Sequence, residues 1–86
     1  MATVTIRYWA AAKEAAGLAE EEVQAETLAQ ALDAALARRP ADSQLRQVLS
    51  RSSFLLDGMQ IGRKTAAELV LHDHAVIEVL PAFAGG

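Results

Sequence analysis

The chain has 86 residues, 52% of them apolar and 22% charged, and eight basic against eleven acidic side chains give a net charge of −3. That is the size of one domain, and its acidic balance excludes a general grip on nucleic acid, which needs clustered positive charge. The absence of cysteine excludes a disulfide scaffold, a Cys-ligated zinc site and a thiol nucleophile.

No apolar run reaches the roughly 18 residues of a membrane span, and the start lacks the basic-then-apolar order of a signal peptide. The expectation is a soluble, cytoplasmic protein that uses neither membrane nor nucleic acid as partner.

Residues 3–9 alternate, with Val4, Ile6 and Tyr8 on one face. That period predicts a half-buried strand, with Trp9 at its join to the next element. Residues 10–16 are Ala-rich helix formers, and Gly17 suits the left-handed position that stops a helix. Leu18 is expected to tuck back onto it. Glu20, Glu21 and Glu22 read as a solvated acidic edge leading into a brief strand at residues 23–25.

Thr27 followed by Gln30 is a capping box. Leu28, Ala31, Leu32, Ala35 and Leu36 then recur at helical spacing, predicting a helix over 27–39. Arg38 and Arg39 read as cations favoured at its C-terminal end, and Pro40 stops it. Ser43 is a candidate cap for a short helix carrying Leu45, Val48 and Leu49 inward. Phe54, Leu55 and Leu56 read as a strand. Asp57-Gly58 then supplies the positive φ values of a tight hairpin turn, and residues 59–61 return.

Residues 62–64 read as loop, and Thr65 to Glu68 repeat the capping-box pattern over a single turn, anchored by Leu69 and Leu71. His72-Asp73-His74 precedes the last strand. It superficially resembles a metal site, but three consecutive residues seldom aim at one point, and it reads as a polar turn. No metal is expected. Residues 75–80 are nearly continuous in apolar side chains, as in a central strand covered on both faces. Pro81 is expected to end its ladder pairing. The pattern is α+β, with one mixed sheet carrying helices. A domain over residues 1–80 would be followed by an extended tail over 81–86.

Conventional catalytic parts are scarce. Asp42 and Ser43 sit where a helix cap is needed, and no glycine spacing makes a phosphate cradle. What remains is the tail. Glycine has no Cβ, so the backbone at Gly85 and Gly86 can thread a channel too narrow for side chains. Residues 81–86 span at most about 20 Å. The α-carboxylate of Gly86 is ionised at neutral pH and is a poor electrophile. It needs activation, for example as an acyl-adenylate, before a nucleophile can replace its oxygen.

Three stretches resemble one family. They are the first strand with its Ala-rich helix ending in Ala15-Ala16-Gly17, the Leu56-Asp57-Gly58 hairpin, and the terminal Val79-Leu80-Pro81-Ala82-Phe83-Ala84-Gly85-Gly86. Together they are similar to the ubiquitin-like β-grasp sulfur carriers of the MoaD/ThiS family, which include the small subunit of molybdopterin synthase. Ala82 stands where that family often has a second Pro, and Phe83 where it often has Val.

The resemblance implies a β-grasp fold in which residues 75–80 lie beside the first strand. It also implies a carrier cycle. An E1-like adenylyltransferase would use ATP to adenylate Gly86, and a sulfur donor would convert it to a thiocarboxylate. The tail would then enter the synthase large subunit, where sulfur passes to a pterin precursor of the molybdenum cofactor. Gly86 would carry the sulfur, Gly85 would give clearance, and Pro81, Ala82, Phe83 and Ala84 would guide and anchor the tail. No cofactor would be held permanently, and the chain would not be an enzyme alone. Three other readings stay open: a free carrier for thiamine, cysteine or another thiolation pathway, a ubiquitin-like modifier joined to lysines through Gly86, and an inert interaction module.

Overall fold

The structure is a computed structural model and describes residues 1–61 and 66–82. The elements run β1 (Ala2–Tyr8), α1 (Ala11–Ala16), β2 (Glu20–Ala25), α2 (Leu28–Ala37), α3 (Leu45–Ser50), β3 (Ser52–Leu56), β4 (Met59–Gln60) and β5 (Val76–Pro81). Their order across one sheet is β2-β1-β5-β3-β4. The last strand therefore occupies the middle, parallel to β1 and antiparallel to β3. It is paired along both edges, but only its Ile77 and Val79 face is fully buried; Val76, Glu78 and Leu80 on the other face are partly covered, so the expected cover on both faces is met on the core side alone.

One face of the sheet holds the core. Val4, Ile6, Tyr8, Val23, Ala25, Ile77 and Val79 are buried there with Ala12 of α1, Leu28, Ala31 and Ala35 of α2, and Leu45 and Leu49 of α3. Burying one Leu or Ile of this set contributes about 1.5–3 kcal/mol. The opposite face carries exposed Arg7, Glu22, Gln24 and Ser53 with partly covered Val76, Glu78 and Leu80. The sequence pattern predicts an α+β mixed sheet carrying helices, and the observed strand order is the β-grasp that the resemblance implies.

The local signals explain the element ends. Gly17 stops α1 at φ 86°, in the left-handed region. The Thr27 side chain accepts from the Gln30 amide, and the Gln30 side chain accepts from the Glu26 amide, one residue ahead of the cap. Two further α2 amides, those of Leu28 and Ala29, donate to the carbonyls of Leu69 and Ala66. The turn over residues 66–68 thus serves as part of the α2 N-terminal cap, held by buried Leu71. Thr65 and residues 62–64, where a cap and a loop are expected, lie outside the described residues. The Ser43 hydroxyl accepts from the Leu45 amide at the start of α3. The β3–β4 turn has the expected positive φ at Asp57 and Gly58, 52° and 83°.

Three expectations need correction. Leu18 does not fold onto α1 and stays exposed. The Ala19 carbonyl already accepts from the Tyr8 amide, so the chain enters the β1–β2 ladder one residue later. Second, the acidic run is part of β2 rather than a solvated approach to it, and Glu21 turns inward. Third, Pro81 does not end the ladder: it faces Ser52, and the Ala82 amide donates to the Arg51 carbonyl at 3.2 Å. Backbone polar groups alternate in direction along a strand. Val79 gives its carbonyl to Trp9 on the β1 side, so the nitrogen of Pro81 points to that same side, where β1 has already ended. No hydrogen bond is lost, and a proline is tolerated there.

Candidate functional site

Because β5 runs parallel to β1, it carries Leu80 and Pro81 to the end of the sheet where β1 passes into α1. Trp9 stands at that corner. Its amide closes the β1–β5 ladder on Val79, and its indole is 47% exposed. Ala10 follows at φ 50°, ψ −123°, and the Ala12 amide returns to the Trp9 carbonyl at 3.0 Å. This is a tight turn whose second residue takes dihedrals suited to glycine. Trp9, Ala10, Lys13 and Leu18 border a shallow groove beside it, with Arg7 on its rim. Arg7 pairs with Glu20 at 3.3 Å and lies 3.8 Å from Glu78.

On the other side of β5, Pro81 and Ala82 run along β3. Pro81 is partly buried and Ala82 exposed. These two of the expected tail residues are therefore seen at the strand's exit. Phe83, Ala84, Gly85 and Gly86 lie outside the described residues. Among the described residues no buried acid, base or nucleophile accompanies Pro81 and Ala82. What the described geometry supplies is a body from which β5 leaves at a defined point, Pro81 and Ala82.

His72, Asp73 and His74 lie at the opposite end of the sheet, before β5 begins. The Asp73 carboxylate accepts from the Thr3 amide at 2.8 Å, and the His74 amide donates to the Thr3 carbonyl. His72 lies 2.5 Å from the Asp57 carboxylate, whose other oxygen accepts from the Val76 amide. That Val76 amide is the main influence holding Asp57 below the usual carboxylate range, with His72 second. The Thr3 amide does the same for Asp73, and the hydrogen bond to Asp57 raises His72. Among the described residues no three His, Cys, Asp or Glu side chains gather as metal ligands. The polar-turn reading of this cluster agrees with that geometry: its groups tie the ends of β1 and β5 together.

The cluster that sequence reasoning missed surrounds Glu21. Its carboxylate accepts from the Tyr8 hydroxyl and pairs with Arg39 at 2.7 Å and Arg38 at 3.0 Å. Arg39 also donates to the Ala16 and Ala35 carbonyls, and its guanidinium lies 5.6 Å from the centre of the Tyr8 ring. The Arg pair is thus more than a complement to the helix dipole. It bolts the ends of α1 and α2 to the β1–β2 hairpin. The period of β2 held the signal: counting back by two from buried Val23 puts Glu21 on the core face.

No curated protein matches the chain in sequence. Among solved structures, small archaeal modifier protein 1 from Methanosarcina acetivorans is 26% identical with a TM-score of 0.83, over 100% of this chain and 98% of that one. A complex of subunits 1 and 2 of the molybdopterin-converting factor from Helicobacter pylori contains a chain 25% identical with a TM-score of 0.68, over 98% and 99%. Small archaeal modifier protein 1 from Haloferax volcanii shares the fold at 20% identity and a TM-score of 0.77, over 98% and 99%. The family model for the ThiS family matches residues 6–86. The chain belongs to the ThiS family and has the ubiquitin-like β-grasp fold of ThiS/MoaD-type sulfur carriers.

Proposed function

We propose that the chain carries sulfur as a thiocarboxylate on Gly86 and donates it as the small subunit of a molybdopterin synthase. The observation that carries this reading is the central position of β5. A strand paired on both sides fixes where the described chain leaves the sheet, at Pro81 and Ala82, and the sequence beyond it reads Phe83-Ala84-Gly85-Gly86. The nearly full-length likeness to a chain of the Helicobacter pylori complex supports a large-subunit partner.

In the first step a carboxylate oxygen of Gly86 attacks the α-phosphorus of ATP on an E1-like adenylyltransferase, and pyrophosphate leaves. A sulfur nucleophile at the oxidation level of sulfide then attacks the acyl carbon. The acyl–phosphate bond breaks, AMP takes its electron pair, and the thiocarboxylate remains. The carrier itself supplies no acid or base to either step. Its part is to present the carbonyl, with Gly85 giving clearance and Pro81, Ala82, Phe83 and Ala84 guiding and anchoring the tail. ATP is consumed by the partner, and the carrier retains no cofactor.

A second reading has its own support. The likeness to small archaeal modifier protein 1 extends over the whole chain, and an adenylated Gly86 attacked by a lysine amine instead of sulfur would give an amide. Intact-mass analysis separates them after incubation with ATP, an E1-like enzyme and a sulfur source. Replacement of one oxygen by sulfur is the result expected of the carrier. A protein–protein amide would establish the modifier, and an unchanged mass would leave an inert module. Recovery of a synthase large subunit in complex with the chain would then assign the pathway, in place of thiamine, cysteine or another thiolation route.

A further inference from the structure

We infer that Asp57-Gly58 is a site of spontaneous backbone modification, the conversion of aspartate to isoaspartate, and that His72 and the Val76 amide hold Asp57 back from it. The inference stands on the described turn and is independent of the carrier reading.

The turn joins β3 to β4 and is exposed. Gly58 takes φ 83°, and nothing lies within 4 Å of where a Cβ would sit. Its nitrogen therefore lacks the shield that a side chain on the same residue would give. Once solvent base removes its proton, that nitrogen can attack Cγ of Asp57 in its neutral acid form. A C–N bond closes a five-membered succinimide, a C–O bond breaks, and one water is lost in all. Water then opens the ring. Attack at the former side-chain carbonyl restores Asp57. Attack at the main-chain carbonyl breaks its bond to the Gly58 nitrogen and leaves the chain running through the side-chain carbonyl. That inserts one extra carbon into a two-residue turn between strands that pair only at Leu55–Gln60 and Leu56–Met59.

The structure opposes the first attack. Oδ1 of Asp57 accepts from the Val76 amide at 3.0 Å, and Oδ2 lies 2.5 Å from Nε2 of His72. The Asp57 amide donates to the Val76 carbonyl at 2.8 Å, so the turn and β5 hold one another in both directions. Nδ1 of His72 lies 2.7 Å from the Asp73 carbonyl. Acceptors thus face both ring nitrogens, and only the imidazolium carries a proton on each. That cation favours the carboxylate, whereas the attack needs the uncharged acid. The Val76 amide first and His72 second hold the Asp57 carboxyl below the usual range. Ring closure turns one of these oxygens into water and the other into an uncharged imide carbonyl, so neither charge-assisted bond survives it at full strength.

The test ages the full-length protein, folded and in denaturant, at a pH just below 6.5, the ordinary histidine value. Isoaspartate at position 57 is read by peptide mapping and by methyl uptake with an isoaspartyl methyltransferase. The denatured chain, which lacks both restraints, is expected to accumulate it at least about fivefold faster than the folded one. Folded His72→Ala should gain about two- to fivefold over the unaltered chain, the range of an exposed ion pair. Its melting temperature should hardly move, since the His72 side chain is 64% exposed, and isoaspartate at Asp33 and Asp42 should not rise with it. Absence of isoaspartate at position 57 in the denatured chain would remove the site. Equal rates in the folded and denatured chains, or in His72→Ala and the unaltered chain, would overturn the restraint.

Discussion

Glu21 sits diagonally across the β1–β2 pair from Tyr8 and accepts its hydroxyl proton in a hydrogen bond. The register partner of Glu21 is Ile6, a fully buried residue. A carboxylate on the core face beside an isoleucine would be costly alone. It persists because three donors converge on it and because no buried side-chain polar atom among the described residues is left without a partner. Burial works to raise the pKa of Glu21, but hydrogen bonds from Tyr8, Arg39 and Arg38 outweigh it and the net pKa shift is downward. Tyr8 moves upward, through burial first and then through Glu21.

These shifts predict a pH profile of stability. Glu21 is held below its unfolded value, so its contribution is present above about pH 4.5 and is lost as the pH falls through its folded value. Tyr8 is held above its unfolded value, so its contribution is present below about pH 10 and is lost as the pH rises toward its folded value. Melting temperature should form a plateau between these limits. Tyr8→Phe should flatten the alkaline side. Glu21→Ala takes the carboxylate from the buried Arg39 guanidinium, while Arg38 is half exposed and turns to water, and should cost about 3 kcal/mol, or roughly 12 °C or more in melting temperature. A loss under about 2 °C would show that the cluster is solvated after all.

The same residues show how much of the molecule was legible. Element identity and order were readable because each signal was local: alternation at Val4, Ile6 and Tyr8, a cap at Thr27, glycines where φ must be positive. The apolar run of residues 75–80 pointed to a central strand, and the sheet order puts it there, although only its Ile77 and Val79 face is fully buried. Glu21 was not, since a charged triplet reads as solvated unless its strand period is carried backward and its cations are known to arrive from α2. Those contacts join residues 17 and 18 positions apart, and Arg38 and Arg39 already had a sufficient local explanation. The extra reach of β5 to Ala82 was hidden for a similar reason. Whether a proline ends a ladder depends on which neighbour its missing donor would have faced. The chemistry expected of Gly86 came from its residue type and the resemblance, while its exit point comes from the sheet.

Ala10 should gain from replacement by glycine. Its φ of 50° and ψ of −123° lie where a Cβ is strained, at a cost of order 1–3 kcal/mol, and its side chain is exposed. Ala10→Gly relieves that strain but adds freedom to the unfolded chain, leaving a net gain of about 0.5–1 kcal/mol. Calorimetry should show a rise in melting temperature of a few degrees. A fall would mean that the methyl group makes a packing contribution larger than the strain it causes.

Phe83 is the one large side chain in the expected tail. We expect its ring to enter a partner pocket, a burial worth about 2–3 kcal/mol. Phe83→Ala should therefore weaken the complex with the large subunit by roughly thirtyfold or more while leaving melting nearly unchanged. A sharp drop in melting temperature with unaltered partner affinity would place the ring in the carrier's own core.

Gly86 is tested by changing the length of the chain by one residue. Removing it moves the terminal carboxyl back by about 3.3 Å or more, a full residue step. Adding one residue converts its carbonyl into an internal amide, with no terminal oxygen for adenylation. Reaction needs an approach of about 3–3.5 Å, so an error of one step abolishes it even when the rest of the complex is correctly docked. Both variants should keep the melting temperature and most of the large-subunit affinity, since the described core, from Val4 to Val79, is built without the last glycine. Neither should transfer sulfur. If the carrier acted only as a scaffold, the reconstituted complex would turn over normally with protein lacking Gly86. The carrier mechanism requires instead a complex that assembles and stays inactive, with activity restored only when the terminal residue is a glycine at position 86.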